Sequence, residues 1–302
     1  MTLLRSLGES SRITLGTVQL GMPYGIGAAR AGISEETALA ILDEAWSHGI
    51  RCFDTARMYG QSERRIGQWL DTHAIPRKPL IISKFPALDT VDTESAIAQS
   101  LAVSRRALGV ARVDVYLAHR GSDLLRPGAV EALAKHVAKG EIGSFGASLY
   151  DAANARALLE LPGIAALQLP IHLANLSAYE SGLLERAAIR GVAIFARSVF
   201  LKGLLLRDSA TLESEFSGAT APLARLERLA RNANTTQAAL ALAVVRSLPG
   251  VSSIVIGVDS VRQLAENLTA YRERIAPEIV ADAIDIGRSF PPELADPRRW
   301  RR

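Results

Sequence analysis

Short apolar runs rich in β-branched residues alternate along this chain with longer segments whose apolar positions recur at three and four spacing. The short runs, Ile13–Thr17, Cys52–Asp54, Leu80–Lys84, Val113–His119, Ser144–Ser148, Ala165–Leu169, Val192–Arg197 and Ser253–Gly257, predict strands. The longer segments predict helices over Glu35–Ser47, Ser62–Asp71, Thr93–Leu108, Ala129–Lys139, Ala152–Leu159, Gly182–Arg190, Pro222–Ala230, Thr236–Ser247 and Ser260–Tyr271. Start signals precede several of them: Ser34 before Glu35-Glu36, Asp92 before Thr93-Glu94 and Asp151 before an Ala-rich stretch. Eight βα units without a break in composition predict the α/β class and a single (β/α)8 TIM barrel over residues 1–302, with an extra helix, Glu278–Ser289, and a polar tail beyond Pro277. A doubly wound sheet is the alternative. It would show a Gly-rich turn after its first strand, and Gln19-Leu20-Gly21-Met22-Pro23-Tyr24-Gly25 does not fit that fingerprint.

Composition narrows the setting. With 302 residues and 48% hydrophobic content the chain can bury a large core. Met1–Ser11 lacks the apolar centre of a signal peptide and no apolar run reaches membrane-spanning length, so a cytoplasmic location is expected. The single Cys52 sits in an apolar strand and reads as a small core residue. The net charge of +4 equals the charge of Arg298, Arg299, Arg301 and Arg302 at the C-terminus, a solvated tail rather than a basic face, so nucleic acid is not an expected partner.

Chemistry gathers where strands end. In a barrel those ends converge on one mouth, and there the chain places Asp54, Lys84, His119, Ser148 and Gln168, with Tyr59 in the loop after the second strand. Taken alone, Phe53-Asp54-Thr55-Ala56-Arg57-Met58-Tyr59-Gly60 is equally a strand-to-turn transition, Lys84 a surface lysine and His119 a core histidine. Together they supply an acid, a phenol, an ammonium and an imidazole in consecutive units, a set suited to delivering a proton to a carbonyl. An ammonium roughly 4 Å from the phenol would favour the phenolate by about 4 kcal/mol at an effective dielectric near 20. Asp54 would keep Lys84 charged and aimed, and His119 would hydrogen-bond the substrate oxygen. No side chain donates hydride, so a bound cofactor is implied.

In their Phe-Asp-Thr-Ala, Met-Tyr-Gly, Ile-Ser-Lys-Phe and Tyr-Leu-Ala-His contexts, Asp54, Tyr59, Lys84 and His119 resemble the catalytic tetrad of the aldo-keto reductase family over nearly the whole chain. The resemblance implies a barrel that binds a nicotinamide cofactor without a Rossmann fold and reduces a small-molecule aldehyde or ketone, with Tyr59 as general acid. It further implies that Ser148 and Gln168 hold the carboxamide and that Gly16 and Thr17 line the same pocket. The loop Arg197-Ser198-Val199-Phe200-Leu201-Lys202-Gly203 would lie on the pyrophosphate side. Family members commonly carry an aromatic residue where this chain has Arg197, which would stack its guanidinium plane or turn toward phosphate. Gly257, Asp259, Ser260, Gln263, Glu266 and Asn267 would form the adenosine end, where Ser260 and Gln263 also read as a capping box at a helix start that favours phosphate. NADPH is the family expectation. Asp259 would repel a 2′-phosphate and accept hydrogen bonds from a bare ribose, which keeps NADH open, and Arg262 one turn on would offset it.

Two further readings stand beside the reductase: a cofactor-sensing barrel without turnover, and a hydrolase or lyase using Lys84 as a Schiff base. The second leaves Tyr59 unexplained. Substrate choice would lie in Met22–Ile26, Phe85-Pro86, Arg120–Gly128, Leu204–Thr220 and the tail, with Arg120, Arg126 and Arg207 placed to meet an anion. A monomer without a bound metal is expected.

Overall fold

In the computed structural model all eight strands pair in parallel with their neighbours, and the eighth closes on the first. The structure describes residues 12–26, 31–73, 78–89, 92–150 and 152–300. Met1–Ser11, the cap assigned to Asp151, and Arg301 and Arg302 lie outside them. The strands are β1 (Ile13–Gly16), β2 (Cys52–Asp54), β3 (Leu80–Phe85), β4 (Val113–Ala118), β5 (Ile142–Ser148), β6 (Ile164–Pro170), β7 (Ala193–Arg197) and β8 (Ser253–Gly257). Around them run α1 (Glu35–Ser47), α2 (Ser62–Thr72), α3 (Thr93–Leu108), α4 (Ala129–Ala138), α5 (Ala152–Leu159), α6 (Leu183–Ile189), α7 (Thr220–Asn232), α8 (Gln237–Ser247), α9 (Val261–Arg272) and α10 (Pro277–Gly287). Ser34, Asp92, Thr236 and Ser260 each accept a hydrogen bond from the N–H three residues on, as N-caps should.

The strand alternation sorts the core into two layers. Cys52, Ile82, Val115, Leu117, Ala166, Ala193, Phe195 and Val255 pack together inside the barrel. Leu15, Phe53, Ile81, Phe85, Tyr116 and Leu167 belong to the larger layer between strands and helices. Side chains alternate along a strand, so the inward set continues two residues on from each interior apolar residue. Cys52 leads to Asp54, Ile82 to Lys84, Leu117 to His119, Ala166 to Gln168, Phe195 to Arg197 and Val255 to Gly257. The parity that fills the interior thus delivers the polar residues to the mouth. Register supports this: Gly16 sits beside both Asp54 and Gly257, and Ser148 beside Gln168.

Sequence and structure differ mainly at the ends of elements. β4 stops at Ala118, one residue short, although His119 still donates its N–H to the Phe85 carbonyl of β3. β5 begins two residues early, at Ile142, opposite Val113. After β1 the chain makes a single helical turn, Val18–Gly21, where no helix is expected. This turn presses on the Tyr59 loop: a Cβ on Gly21 would lie 1.7 Å from the Tyr59 carbonyl, and Gly60, at φ +52, would meet the Gly21 carbonyl at 2.4 Å. A hydroxyl chain ties the same region together, from Thr55 to Ser62 (2.9 Å), Ser62 to Thr17 (2.7 Å) and Thr17 to the Asp54 carbonyl (2.9 Å). α10 packs on α7 and α8, and the tail beyond it folds back so that Trp300 meets Phe216 edge-on at 4.9 Å.

Gly21→Ala forces this contact apart and should lower stability by about 1–3 kcal/mol, the usual cost of overpacking. Urea unfolding measures it; an unchanged midpoint would show that the Tyr59 loop is not braced here.

Candidate active site

Lys84 is fully buried at the end of β3. Its ammonium donates to both Asp54 oxygens, at 2.7 and 2.8 Å, and to the Thr55 carbonyl at 2.9 Å. Its remaining neighbour is the Tyr59 hydroxyl at 3.4 Å. Burial works against the charged form, but the adjoining Asp54 carboxylate and Tyr59 oxygen outweigh it and hold the lysine pKa above its ordinary value. The ammonium facing Tyr59 is therefore half of an ion pair. Its field at the phenol is smaller than that of the lone charge considered from sequence.

The carboxylate is held from the far side as well. Gln168 donates to Asp54 Oδ1 at 2.8 Å and accepts from Ser148 at 3.3 Å. One hydrogen-bonded line, Ser148–Gln168–Asp54–Lys84–Tyr59, thus joins the ends of β5, β6, β2 and β3. The Tyr59 and His119 rings meet edge to face, 5.6 Å between centroids. Burial, then the charges of Lys84 and Arg197, push the His119 pKa down to about 4, so the imidazole is neutral near pH 7. Tyr24, another phenol at this end of the cleft, is pushed up to about 12 by burial, against the pull of Arg197, and stays protonated.

From Tyr59 a cavity of about 930 Å³ runs across β1 and β8 to α9. Of the residues expected at the site, Asp54, Tyr59, Gly16, Thr17, Arg197, Ser198, Val199, Phe200, Gly203, Gly257, Asp259, Gln263, Glu266 and Asn267 line it. Lys84, His119, Ser148 and Gln168 stand at the same strand ends without lining that cavity. Leu201 is buried behind its loop, and the Ser260 hydroxyl is occupied by the Gln263 N–H at 3.2 Å. Tyr24, Gly25 and Ile26, from the Met22–Ile26 segment expected to shape substrate choice, line it too, whereas Gln19 and Thr236–Ala238 were not expected there. Gln19 falls in a helical turn too short to show a periodicity, and Thr236 carries a cap signal that says nothing of what lies beyond it.

The cavity suits a long, flexible, phosphate-bearing ligand. Its volume falls within the roughly 300–1,000 Å³ typical of small-molecule sites. Gly16 and Gly257 keep its floor low; a Cβ on Gly257 would fall 2.4 Å from Gln19 Oε1, a buried acceptor without a partner among the described residues. The β7 loop holds Ser198, Leu201 and Lys202 at φ 61, 49 and 54, backbone strain of the kind that collects at ligand loops. The α9 N-terminus adds its dipole.

The model of the Aldo/keto reductase family matches residues 12–286. The chain belongs to the aldo-keto reductase family. Enzymes of this family are oxidoreductases that use nicotinamide cofactors. Among curated relatives, D-threo-aldose 1-dehydrogenase of a Pseudomonas species is 29% identical, covering 80% of this chain and 87% of that protein. Pyridoxal 4-dehydrogenase of Microbacterium luteolum is 26% identical, covering 91% of this chain and 94% of that one. Among solved structures, the holo form of aldo-keto reductase AKR11C1 from Bacillus halodurans shares the fold with a TM-score of 0.77, at 20% identity and 93% coverage of both chains. Among the described residues no helix is long and apolar enough to cross a membrane, and no cluster of three or more His, Cys, Asp or Glu side chains could hold a metal ion.

Two outcomes follow. Asp54→Asn leaves a buried ammonium without its counter-charge and should cost about 3–5 kcal/mol, whereas Asp54→Leu combined with Lys84→Met should recover much of that loss. Urea unfolding of the three proteins distinguishes this from a pair that stabilises on its own account. The second concerns pH. Burial holds His172 at about 4, as it does His119, both below the ordinary 6.5. In the window between, the unfolded chain binds more protons, so this stability is complete above pH 6.5 and is lost as pH falls toward 4. His119→Asn should flatten the slope of stability against pH in that window; an unaltered slope would rule out its part.

Proposed function

We propose that this chain reduces an aldehyde or ketone to an alcohol, with Tyr59 as the proton donor. The observation that carries the reading is the buried Lys84 ammonium, fixed by Asp54 on one side and within hydrogen-bond distance of the Tyr59 hydroxyl on the other. A nicotinamide dinucleotide held by Gly16, Thr17, the backbone of the Arg197–Gly203 loop, Gly257, Asp259 and the start of α9 would supply the hydride. Ser148 and Gln168 stand at the strand ends where its carboxamide would be held.

The remaining work falls to the chain's own groups. As the carbonyl oxygen gains negative charge, Tyr59 donates its proton, and the phenolate left behind keeps Lys84 beside it. Asp54 prevents the lysine from answering by losing its own proton. His119, neutral, carries one N–H that can donate to the same oxygen without competing as an acid. Run in reverse, the same groups take the proton from an alcohol. The substrate would be a small polar aldehyde or ketone, sugar-derived ones included; the names of the relatives point to an aldose in one case and to pyridoxal in the other.

At the ribose end the charges support NAD(H) over the NADP(H) expected from the family. Asp259, Glu266 and Glu273 line the cleft there. Burial raises the Asp259 carboxyl, and no side chain partners it among the described residues. Arg262, expected to offset it, also borders the cleft, but it is 85% exposed and leans toward Glu266 at 3.7 Å. A 2′-phosphate would meet carboxylates, whereas a 2′-hydroxyl could donate to one.

Nicotinamide fluorescence tests both parts. NADH should bind more tightly than NADPH, and Asp259→Ser should narrow the difference; tighter NADPH binding to the natural chain would overturn the preference, and binding of neither would overturn the reductase. Tyr59→Phe should keep the dinucleotide affinity and lose turnover by a factor of about 100–10,000, the usual weight of a general acid. Retained turnover would remove Tyr59 from that role, and a natural chain that binds dinucleotide but reduces no carbonyl would be a sensor.

A further inference from the structure

The mouth of the barrel carries a cation whose side chain takes no part in the proton transfer just described. Arg197 ends β7 on the inward parity, is half-buried and lines the cleft. Its guanidinium lies over the Tyr150 ring at 4.4 Å and donates to the Leu149 carbonyl at 2.9 Å and the Ser198 hydroxyl at 3.2 Å. A guanidinium has five N–H donors, so three remain after those two bonds. No carboxylate among the described residues pairs with it. The group is thus stacked and aimed before any ligand arrives, which lowers the cost of binding one.

Its surroundings say which part of a ligand it meets. The Arg197 charge bears on His119 and Tyr24, the groups at the reacting end of the cleft. Arg298 also lies over the Tyr150 ring, at 4.2 Å, but its charge is held by Asp296 at 2.6 Å, so it braces the ring instead of competing for an anion. The three arginines that sequence alone placed to meet an anion are engaged elsewhere. Arg120 pairs with Asp123 and Asp89, Arg126 donates to the Leu88 carbonyl, and Arg207 pairs with Glu213. The Asp54 carboxylate is already matched by Lys84. Arg197 is therefore, among the described residues, a charge without a carboxylate partner beside the reacting groups.

We propose that Arg197 anchors a carboxylate borne by the carbonyl substrate, so that this enzyme prefers small aldehydo- or oxo-acids to their neutral counterparts. The proposal rests on the reductase reading above. A planar carboxylate matches the guanidinium fork, and a charge-assisted pair in a half-buried site is worth more than one in open water. Because the same molecule must offer its carbonyl to Tyr59, Arg197 would set specificity and orientation without touching the transferred proton.

4-Formylbenzoate and its methyl ester share a ring and a formyl group, and the ester's formyl carbonyl is the more electrophilic of the two, so a preference for the acid reports charge and not intrinsic reactivity. The natural chain should favour the acid in kcat/KM by roughly tenfold or more, the weight of a charge-assisted hydrogen bond. Arg197→Met should bring that ratio close to one, through KM for the acid. Calorimetry with the product 4-(hydroxymethyl)benzoate and its methyl ester reads the same anchor without turnover. Equal use of acid and ester by the natural chain, or a ratio that survives the substitution, overturns the proposal. If Arg197→Met instead weakens dinucleotide binding and leaves the ratio intact, Arg197 serves the cofactor; the anchor falls and the reductase stands. If neither carbonyl is reduced, it is the reductase reading that fails, and calorimetry alone decides the anchor.

Discussion

A lysine ammonium with no exposure to solvent is the constraint around which this molecule is arranged. Removing such a charge from water costs several kcal/mol unless its surroundings replace the lost hydration. Here the replacement is specific: two carboxylate oxygens, a backbone carbonyl and a phenol oxygen, supplied by β2 and the loop after it. Asp54 in turn needs a donor on its other face, and Gln168 reaches across the barrel to provide one. The arrangement that makes Lys84 tolerable is the arrangement that presents it to Tyr59, so stability and chemistry share their hydrogen bonds.

That coupling explains how labour is divided between scaffold and loops. Inward positions at strand ends hold the groups whose placement must not vary. Tyr59 lies on a loop, yet the loop is gripped, with Gly21 and Gly60 in contact beneath it and a line of hydroxyls from Thr17 through Ser62 to Thr55 beside it. The β7 loop is built differently. Three non-glycine residues in the left-handed region hold it open along the cleft, where backbone groups can approach a ligand closely.

The cleft also changes electrical character along its length. Arg197 and Lys202 sit near the reacting end, and aromatic rings surround them: Tyr150 under Arg197, Tyr24 and Trp300 near Lys202. The opposite end carries Asp259, Glu266 and Glu273, with only the solvent-exposed Arg262 against them among the described lining residues. A ligand spanning both meets a positive mouth and a negative tail. The fold is common to the family; this polarity comes from individual side chains of this chain.

Sequence by itself determined the barrel and which polar residues stand at its strand ends. Eight alternating units can close in few ways, and a period of two in the strands dictates that a polar residue two steps beyond an interior apolar residue must face the mouth, as Asp54, Lys84 and His119 do. Such local periodicities survive without knowledge of partners. What only tertiary structure decided was pairing. That Lys84 is half of an ion pair, that Gln168 bonds Asp54, that Arg262 leans to Glu266 while Arg120, Arg126 and Arg207 are engaged, and that Arg197 is left stacked on Tyr150, all depend on residues far apart in the chain. Charge acts through space at a few ångströms, and no spacing along the sequence measures that distance.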